Sequence, residues 1–546
     1  WGLALGCAWL SLRRAKLMAM VFVVSVYAAG LATAMVHYTG GTMNLLLVLV
    51  PVLLAVLTIS GSVHLSNYYR DAIHEFGVAG APVRAMRAGW PPCALSAATT
   101  ALGVGSLLVS HIEPVKAFGI YSSMGMLLSL GMLFLLLPTL MEKWPLKVRS
   151  DAAGPAPASE DLRNRVLGGI AGTIIRHRAP IAGISVAFLV VLGCGVAFLE
   201  TAIQPIRFFP QESKWIKDAK WLASEVAPMV TVEVVVGIDK QRNMTMLDQM
   251  ELISDVQRTI HAMPEVGGTL SAATFAPPLT ATRAVKRATT NTMLERNRDV
   301  FVNQGYLNEI GQEERWRITA RIYGGEDVYY DQVLVAIEDR VDRYLKERTQ
   351  AEDSVEALYT GSAPLVYAAQ QELLRGLMRS FGLAFVLIAI VMILLLRSPS
   401  AGMLTMLPNI FPTMVTFGLM GWVARPVDVG AMMTASVALG IAVDDTLHFL
   451  TWFRRGLLRG DTRAEAIIEA YQRCAPAMTQ TTLIAAPSML VFFFSSFQPV
   501  SQFGLLMFIL LGAALVGDLV MLPALLATRF GACFYRRSGG EAPSGQ

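Results

Sequence analysis

The sequence predicts a polytopic α-helical membrane protein built on an internal two-fold repeat, with one α+β domain outside the bilayer. Three observations predict it. Apolar residues fill 54% of the 546 positions and charged residues only 16%, against about 25% charged in a typical soluble domain. Ten segments are long and apolar enough to cross a bilayer, which takes about 20 residues as a helix. Landmarks in the first part of the chain also recur at constant spacing in the second. Ten such segments in one chain exclude a soluble protein with large core helices. The net charge of +4 is too small to imply a nucleic-acid partner.

A partial span covers 1–12, and full spans are expected at 17–37, 43–66, 92–111, 116–141 and 179–199. After a polar stretch, further spans are expected at 373–396, 400–424, 428–453, 475–497 and 501–527. The chain opens with Trp1 and runs straight into apolar sequence, without a basic n-region or a cleavage site. Its start reads as a cut inside a helix, not as a signal peptide. The five cysteines (Cys7, Cys93, Cys194, Cys474 and Cys533) all lie in or beside apolar segments. No disulfide framework therefore holds the polar stretch, which favours a bacterial source. The sequon Asn243-Met244-Thr245 is short enough for chance to explain it.

Lys and Arg in the short loops set the orientation. One set of loops carries Arg13, Arg14 and Lys16, then Arg70, Arg84 and Arg87, then Lys143, Lys147, Arg149, Arg163 and Arg165. The same set continues with Arg397, with Arg454, Arg455, Arg459 and Arg463, and with Arg536 and Arg537. The alternate loops are nearly free of basic residues, so the basic set is read as cytoplasmic. The resulting division is 1–150 for the first-repeat bundle (truncated at its N-terminus), 151–177 for a cytoplasmic linker and 178–200 for the first helix of the second repeat. It continues with 201–372 for a periplasmic domain, 373–530 for the second-repeat bundle and 531–546 for a cytoplasmic tail. The expected location is the inner membrane of a diderm bacterium.

Within 201–372, strands are expected at Thr231–Ile238, Gly268–Phe275, Arg315–Tyr323 and Ser354–Thr360. Helices are expected at 246–262 and Tyr330–Lys346. Strands separated by helices suggest an α+β, ferredoxin-like sandwich.

The repeat aligns His64 with His448 and Tyr68-Tyr69-Arg70 with Trp452-Phe453-Arg454, at an offset of 384. One inserted residue later, Pro114 matches Pro499, Phe118-Gly119 matches Phe503-Gly504, and Pro138 matches Pro523. Transporters are often built from such repeats, with the working site at the repeat interface. By this alignment about 207 residues of the first repeat are missing, and the intact chain is expected to have about 750 residues and 12 spans.

The informative motif is Gly440-Ile441-Ala442-Val443-Asp444-Asp445-Thr446-Leu447-His448, inside the span 428–453. Each carboxylate within a bilayer costs roughly 2.5–3.5 kcal/mol on insertion scales, so such groups are seldom idle. Gly440, Asp444 and His448 are four apart and share a helix face, and Asp445 is three from His448. A buried carboxyl pair can bind and release a proton, with His448 as relay. Gly440 would admit a neighbouring helix at close range. The plainer alternative is a polar clamp in which Thr479, Thr481 and Thr482 bond the aspartates. Two aspartates and one histidine are a poor metal set, and no cofactor is implied. Asp518 is a lone intramembrane acid that either pairs with a hydroxyl or supports coupling. Ser60, Gly61 and His64 take the places of Asp444, Asp445 and His448 in the first repeat, so that helix offers only neutral polar partners. Thr462-x-x-Glu465 is a capping box. It opens an amphipathic helix to about Tyr471, which with Asp71–Ala88 is expected to lie along the cytoplasmic face.

Together, Gly440-x-x-x-Asp444-Asp445, the cytoplasmic amphipathic helix, Pro476 with Thr481-Thr482, and Phe503-Gly504 with Asp518 and Pro523 resemble the resistance-nodulation-division (RND) superfamily. The branch they look most like is the MMPL-type exporters, which are similar to sterol-sensing, Patched-like and Dispatched-like proteins. The resemblance implies a secondary active transporter driven by the proton-motive force, not an enzyme, that exports a hydrophobic or amphipathic substrate such as a lipid, hopanoid or drug. It places ion coupling on Asp444 and Asp445, with membrane lipids and protons as partners and a homo-oligomer left open. A lipid- or sterol-sensing receptor without turnover is the alternative on the same scaffold. An intramembrane aspartyl protease would need its aspartates on different helices, and an ATP-driven pump would need a phosphate-binding glycine loop that the sequence lacks.

Overall fold

The computed structural model describes residues 6, 9, 15–146, 158–199, 208–279, 284–323, 330–349 and 355–534. Most of the partial span expected at 1–12, the basic residues Arg13, Arg14, Lys147 and Arg149, and the tail with Arg536 and Arg537 lie outside the described residues. The chain divides into two compact units, Trp1–Ala202 with Glu372–Gln546, and Ile203–Gln371.

The first unit is helical. Its elements are α1 (Ala15–Tyr38), α2 (Leu49–Phe76), α3 (Ala81–Gly105), α4 (Glu113–Lys143), α5 (Ala158–Arg176) and α6 (Arg178–Val196). Among the described residues, ten helices are long and apolar enough to cross a membrane, five of them among these and five beyond the second unit. The protein is a multi-pass membrane protein.

The second unit holds α7 (Lys214–Glu225), β1 (Val230–Asp239), α8 (Met246–His261), β2 (Val266–Ser271), α9 (Ala272–Phe275), α10 (Ala284–Arg296) and α11 (Arg298–Asn303). It continues with β3 (Leu307–Ile310), β4 (Glu313–Ile322), α12 (Tyr330–Thr349) and β5 (Val355–Thr360). The antiparallel sheet has the order β2-β4-β1-β5, with β3 paired to β4. Its long central strands alternate in burial, so Val232, Val234 and Val236 of β1 and Trp316, Ile318 and Ala320 of β4 join the core formed with α8 and α12. Trp316 is fully buried and donates its indole N–H to Gln249 at 2.8 Å, and Gln249 donates to Glu314 at 2.6 Å. At the surface, bonds from Lys240 and Arg298 pull the Glu309 carboxyl down to about 2.

The remaining helices are α13 (Ser362–Leu396), α14 (Pro399–Trp422), α15 (Val429–Arg459), α16 (Arg463–Leu490) and α17 (Gln498–Val516). A π-turn at Gly517–Met521 and α18 (Leu522–Ala527) complete the last span. α15 lies innermost. Of its most apolar window 83% is buried, against 17% for α6, whose Ile184, Phe188 and Val190 are left facing outward.

Three expectations are corrected. Asp71–Ala88 is not a separate surface helix, because α2 runs on to Phe76 and α3 starts at Ala81. The Thr462/Glu465 capping box forms, but the helix it opens continues unbroken through Pro476 to Leu490. Hydropathy marks where a bilayer would begin, whereas a helix stops only at a breaker. Here those are Gly77 and Gly80, at φ 80° and 68°. The third correction is Gly268–Phe275, which is a strand only to Ser271. Ser271 then caps the short helix α9, with its hydroxyl accepting from Ala273 N–H at 3.1 Å. The segment read as a linker also contains α5, tied to α16 by a bond from Gln472 Nε2 to the Asn164 carbonyl at 2.9 Å.

Candidate functional site

α15 carries the site, and its ends are well fixed. Asp428 caps the N-terminus, its carboxylate accepting from Ala431 N–H at 2.8 Å. Burial pushes this carboxyl up to about 6, against the backbone N–H groups that pull it down. Gly460, at φ 97°, closes the C-terminus in the left-handed conformation. In between, Gly440 lets α3 come close. A Cβ at Gly103 would lie 2.7 Å from the Gly440 Cα, and a Cβ at Gly440 would lie 3.1 Å from the Thr100 Cα. Thr100 donates its hydroxyl to the Gly440 carbonyl at 3.0 Å. Small residues at such crossings exchange side-chain packing for backbone contact.

One turn below this crossing, the two aspartates meet histidines from two helices. Asp444 Oδ1 lies 3.4 Å from Nε2 of His448, four residues along α15. Asp445 Oδ1 lies 3.9 Å from Nε2 of His64 on α2. The two imidazoles stack with centroids 4.2 Å apart and planes 5° apart. Tyr68, also on α2, brings its hydroxyl to 3.4 Å from His448 Nδ1. The histidine side chains are 6% and 4% exposed and the aspartates 18% and 16%, so acids and bases sit almost entirely out of water. Among the described residues, His64 Nε2, His448 Nε2 and Asp444 Oδ1 have no hydrogen-bond partner. They border a cavity of about 30 Å³ that Cys93 and Ser96 of α3 also line.

A second polar group lies on another side of α15. Thr446 Oγ1 is 2.5 Å from Asp518 Oδ1 in the π-turn and 2.7 Å from Asn409 Oδ1 on α14. Asn409 Nδ2 donates to the Thr405 carbonyl at 3.0 Å, which orients the amide with its oxygen toward Thr446. All three side chains are buried, and π-turns frequently mark functional sites.

The structure gathers the expected Asp444, Asp445, His448 and His64 and places Gly440 at the adjoining crossing. Gly61 lines the cavity, and Ser60 is not among its lining residues. The α16 hydroxyls do not bond the aspartates: Thr481 donates to the Met478 carbonyl at 2.9 Å and Thr479 to that of Ala475 at 2.7 Å. A helical threonine readily satisfies its hydroxyl on the preceding turn of its own backbone. Asp518 pairs with a hydroxyl, that of Thr446. Among the described residues no group of three or more His, Cys, Asp or Glu could hold a metal ion.

Sequence reasoning missed Tyr68, Thr446 and Asn409 as site residues. Asn409 carried a usable signal, being an amide within an apolar segment. Thr446 lies within the motif itself, but nothing in one sequence tells which neighbouring helix it faces.

Residues 331–539 match the MMPL family. The chain is also 24% identical over 244 residues to a Methanocaldococcus jannaschii protein whose name assigns it to the membrane. That alignment covers 42% of this chain and 60% of the relative.

Proposed function

We propose that this chain, an MMPL-type membrane protein by its match over 331–539, is a secondary active transporter of the RND class that moves a hydrophobic or amphipathic substrate at the expense of a proton gradient. The observation that carries this reading is the pairing of Asp444 with His448 and of Asp445 with His64, drawn from two helices and sealed inside the bundle. Two carboxyls beside two imidazoles form a set that takes up and gives off protons, and changes charge, within a helix bundle. Such a change in charge at a helix–helix contact can bias one packing over another. A site without turnover has no need of so costly a charge cluster.

Further features support the finer parts of the reading. The α8 and α12 crossovers and the strand order β2-β4-β1-β5 support the reading of a split β-α-β, ferredoxin-like domain. On α7, Trp215 and Trp221 are 49% and 61% exposed, which suits contact with an apolar cargo. The turns after α3 and α16, Ser106–Val109 and Val491–Phe494, are built alike 385 residues apart. Each is followed by a serine, Ser110 or Ser495, whose hydroxyl accepts a backbone N–H two residues on at 3.2 Å. This agrees with an internal duplication. On the distribution of basic loops, Ile203–Gln371 lies outside a bacterial inner membrane.

The test is flux of a lipid-like substrate in proteoliposomes under an imposed pH gradient. Asp444→Asn and Asp445→Asn are close to isosteric and each is expected to abolish gradient-driven flux at equal incorporation. Wild-type flux in both variants would show the pair to be structural, and binding without gradient-dependent flux would indicate a sensor.

A further inference from the structure

We propose that the stacked imidazoles of His64 and His448 are a partition across a water route, so that water reaches them from the end of the bundle bearing Arg70 and Arg473 and only protons pass beyond. The proposal rests on the transport reading above for its purpose, but not for its geometry.

Three cavities lie in series. A polar cavity of about 470 Å³ opens among α2, α5 and α16, lined by Arg70, Arg163, Arg473 and Gln480. A second, of about 40 Å³, shares Asn67, Asp71, Arg473 and Ala477 with it. The third is the cavity of about 30 Å³ that borders Asp444. The second and third share only His64 and His448. Each of the narrow cavities has room for a water molecule, which needs roughly 10–15 Å³ by this measure. The imidazole pair is thus the wall between them.

The two nitrogens of His448 face opposite sides of that wall. Nδ1 is directed to the Tyr68 hydroxyl, which lines the second cavity, and Nε2 to Asp444, which lines the third. A neutral imidazole carrying its proton on Nε2 can pass that proton to Asp444 Oδ1 while Nδ1 takes one from a hydrated proton in the second cavity. The ring remains neutral, with its proton moved from one nitrogen to the other, and the carboxylate becomes a carboxylic acid. Release toward the same side is the reverse of this step. Tyr68 acts as a positioning residue, holding Nδ1 toward the second cavity.

Two native thiols report on the wall. Cys474 lines the second cavity and Cys93 the third, and the two residues are equally buried, 4% and 5% exposed. Burial alone therefore predicts equal protection, whereas a partition predicts that Cys474 reacts first. The probe is the silver ion, small enough for a water-sized route and reactive with thiols, applied to the full chain with Cys7, Cys194 and Cys533 changed to Ser. Vesicles are oriented to present the basic loops, and the block is read by mass spectrometry. Silver is expected to block Cys474 about tenfold or more faster than Cys93, since access governs the rate. His448→Ala should remove that difference, and His448→Phe, which keeps a ring, should preserve it. Equal rates in the wild type, or faster block of Cys93, would overturn the proposal. So would an undiminished difference in His448→Ala. Asp444→Asn keeps both imidazoles and should keep Cys474 the faster thiol whatever it does to flux, so a failure of the transport reading is seen separately.

Discussion

The rings of His64 and His448 lie parallel at 4.2 Å, although their helices belong to opposite ends of the sequence. Each ring presents Nε2 to a different aspartate of the same adjacent pair. The two halves of the bundle therefore meet at the aspartate pair on which the proposed proton coupling rests. His448→Ala should lower gradient-driven flux without abolishing it, because water can fill the gap and still carry protons. The comparison is initial flux in proteoliposomes against Asp444→Asn, and a loss as complete as in Asp444→Asn would assign the imidazole more than relay.

Close approach of α3 and α15 rests on the absence of side chains at Gly103 and Gly440. Gly440→Val would press methyl groups into the Thr100 backbone and displace the hydroxyl bond to the Gly440 carbonyl. Overpacking of this kind costs about 1–3 kcal/mol, which a thermal unfolding series in detergent should register. An unchanged melting temperature would mean that the crossing yields freely.

Asp428, ahead of the span that the structure starts at Gly430 rather than 428, gives a pH dependence of definite sign. Its carboxyl is raised from 3.8 to about 6 by burial, so between those values the folded chain holds a proton that the unfolded chain has lost. Stability contributed by this group is thus full below about pH 4 and falls as pH rises through 6, by up to about 3 kcal/mol. Asp428→Asn, which preserves a capping side chain, should flatten that slope and leave the protein no less stable at neutral pH. Unfolding midpoints measured from pH 4 to 7 in both proteins decide it.

The Thr446–Asp518–Asn409 group predicts a contrast between two substitutions. Asp518→Asn can turn an amide N–H toward Thr446 Oγ1 and leave the threonine proton for Asn409, so stability should hold. Asp518→Ala leaves the Thr446 hydroxyl with Asn409 alone and opens a void where the carboxyl stood, and should cost about 1–3 kcal/mol. Equal stability of the two variants would show that the triad contributes nothing.

Topology can be tested by cysteine labelling. A cysteine at Lys240 should react with an impermeant reagent added outside cells, and one at Arg459 only after the inner face is opened. The opposite pattern would invert the assignment made from basic loops.

The spans were legible because a bilayer filters composition, and ten apolar stretches leave little else to infer. Their ends were not. Asp71 and Glu75 look like loop residues by polarity, yet they extend α2 by further turns, since polar residues continue a helix as well as apolar ones do. At the site, the spacing within α15 already put Asp444 beside His448. The contact of Asp445 with His64 was out of reach, because local periodicity orders residues along one helix and says nothing of which face another helix presents. The repeat drew attention to His64 but suggested a counterpart of His448, not its stacking partner. The alternative polar clamp with threonines on α16 was also open to the sequence, and the hydroxyls of Thr479 and Thr481 bond their own backbone instead.

A π-turn takes in one residue more than an α-helical turn, so the chain beyond Met521 is rotated by about 100° from where an unbroken helix would leave it. Gly517–Met521 thereby works as a vernier. Upstream, Phe503, Met507 and Leu510 keep one stripe inward, and downstream all six residues of Leu522–Ala527 are buried. Asp518 sits at the seam, facing Thr446. Removing any one residue from the turn would restore a regular helix and swing either the acid or the terminal segment off its mark. The placement of this carboxyl is therefore encoded by the count of residues in the span as much as by their identity.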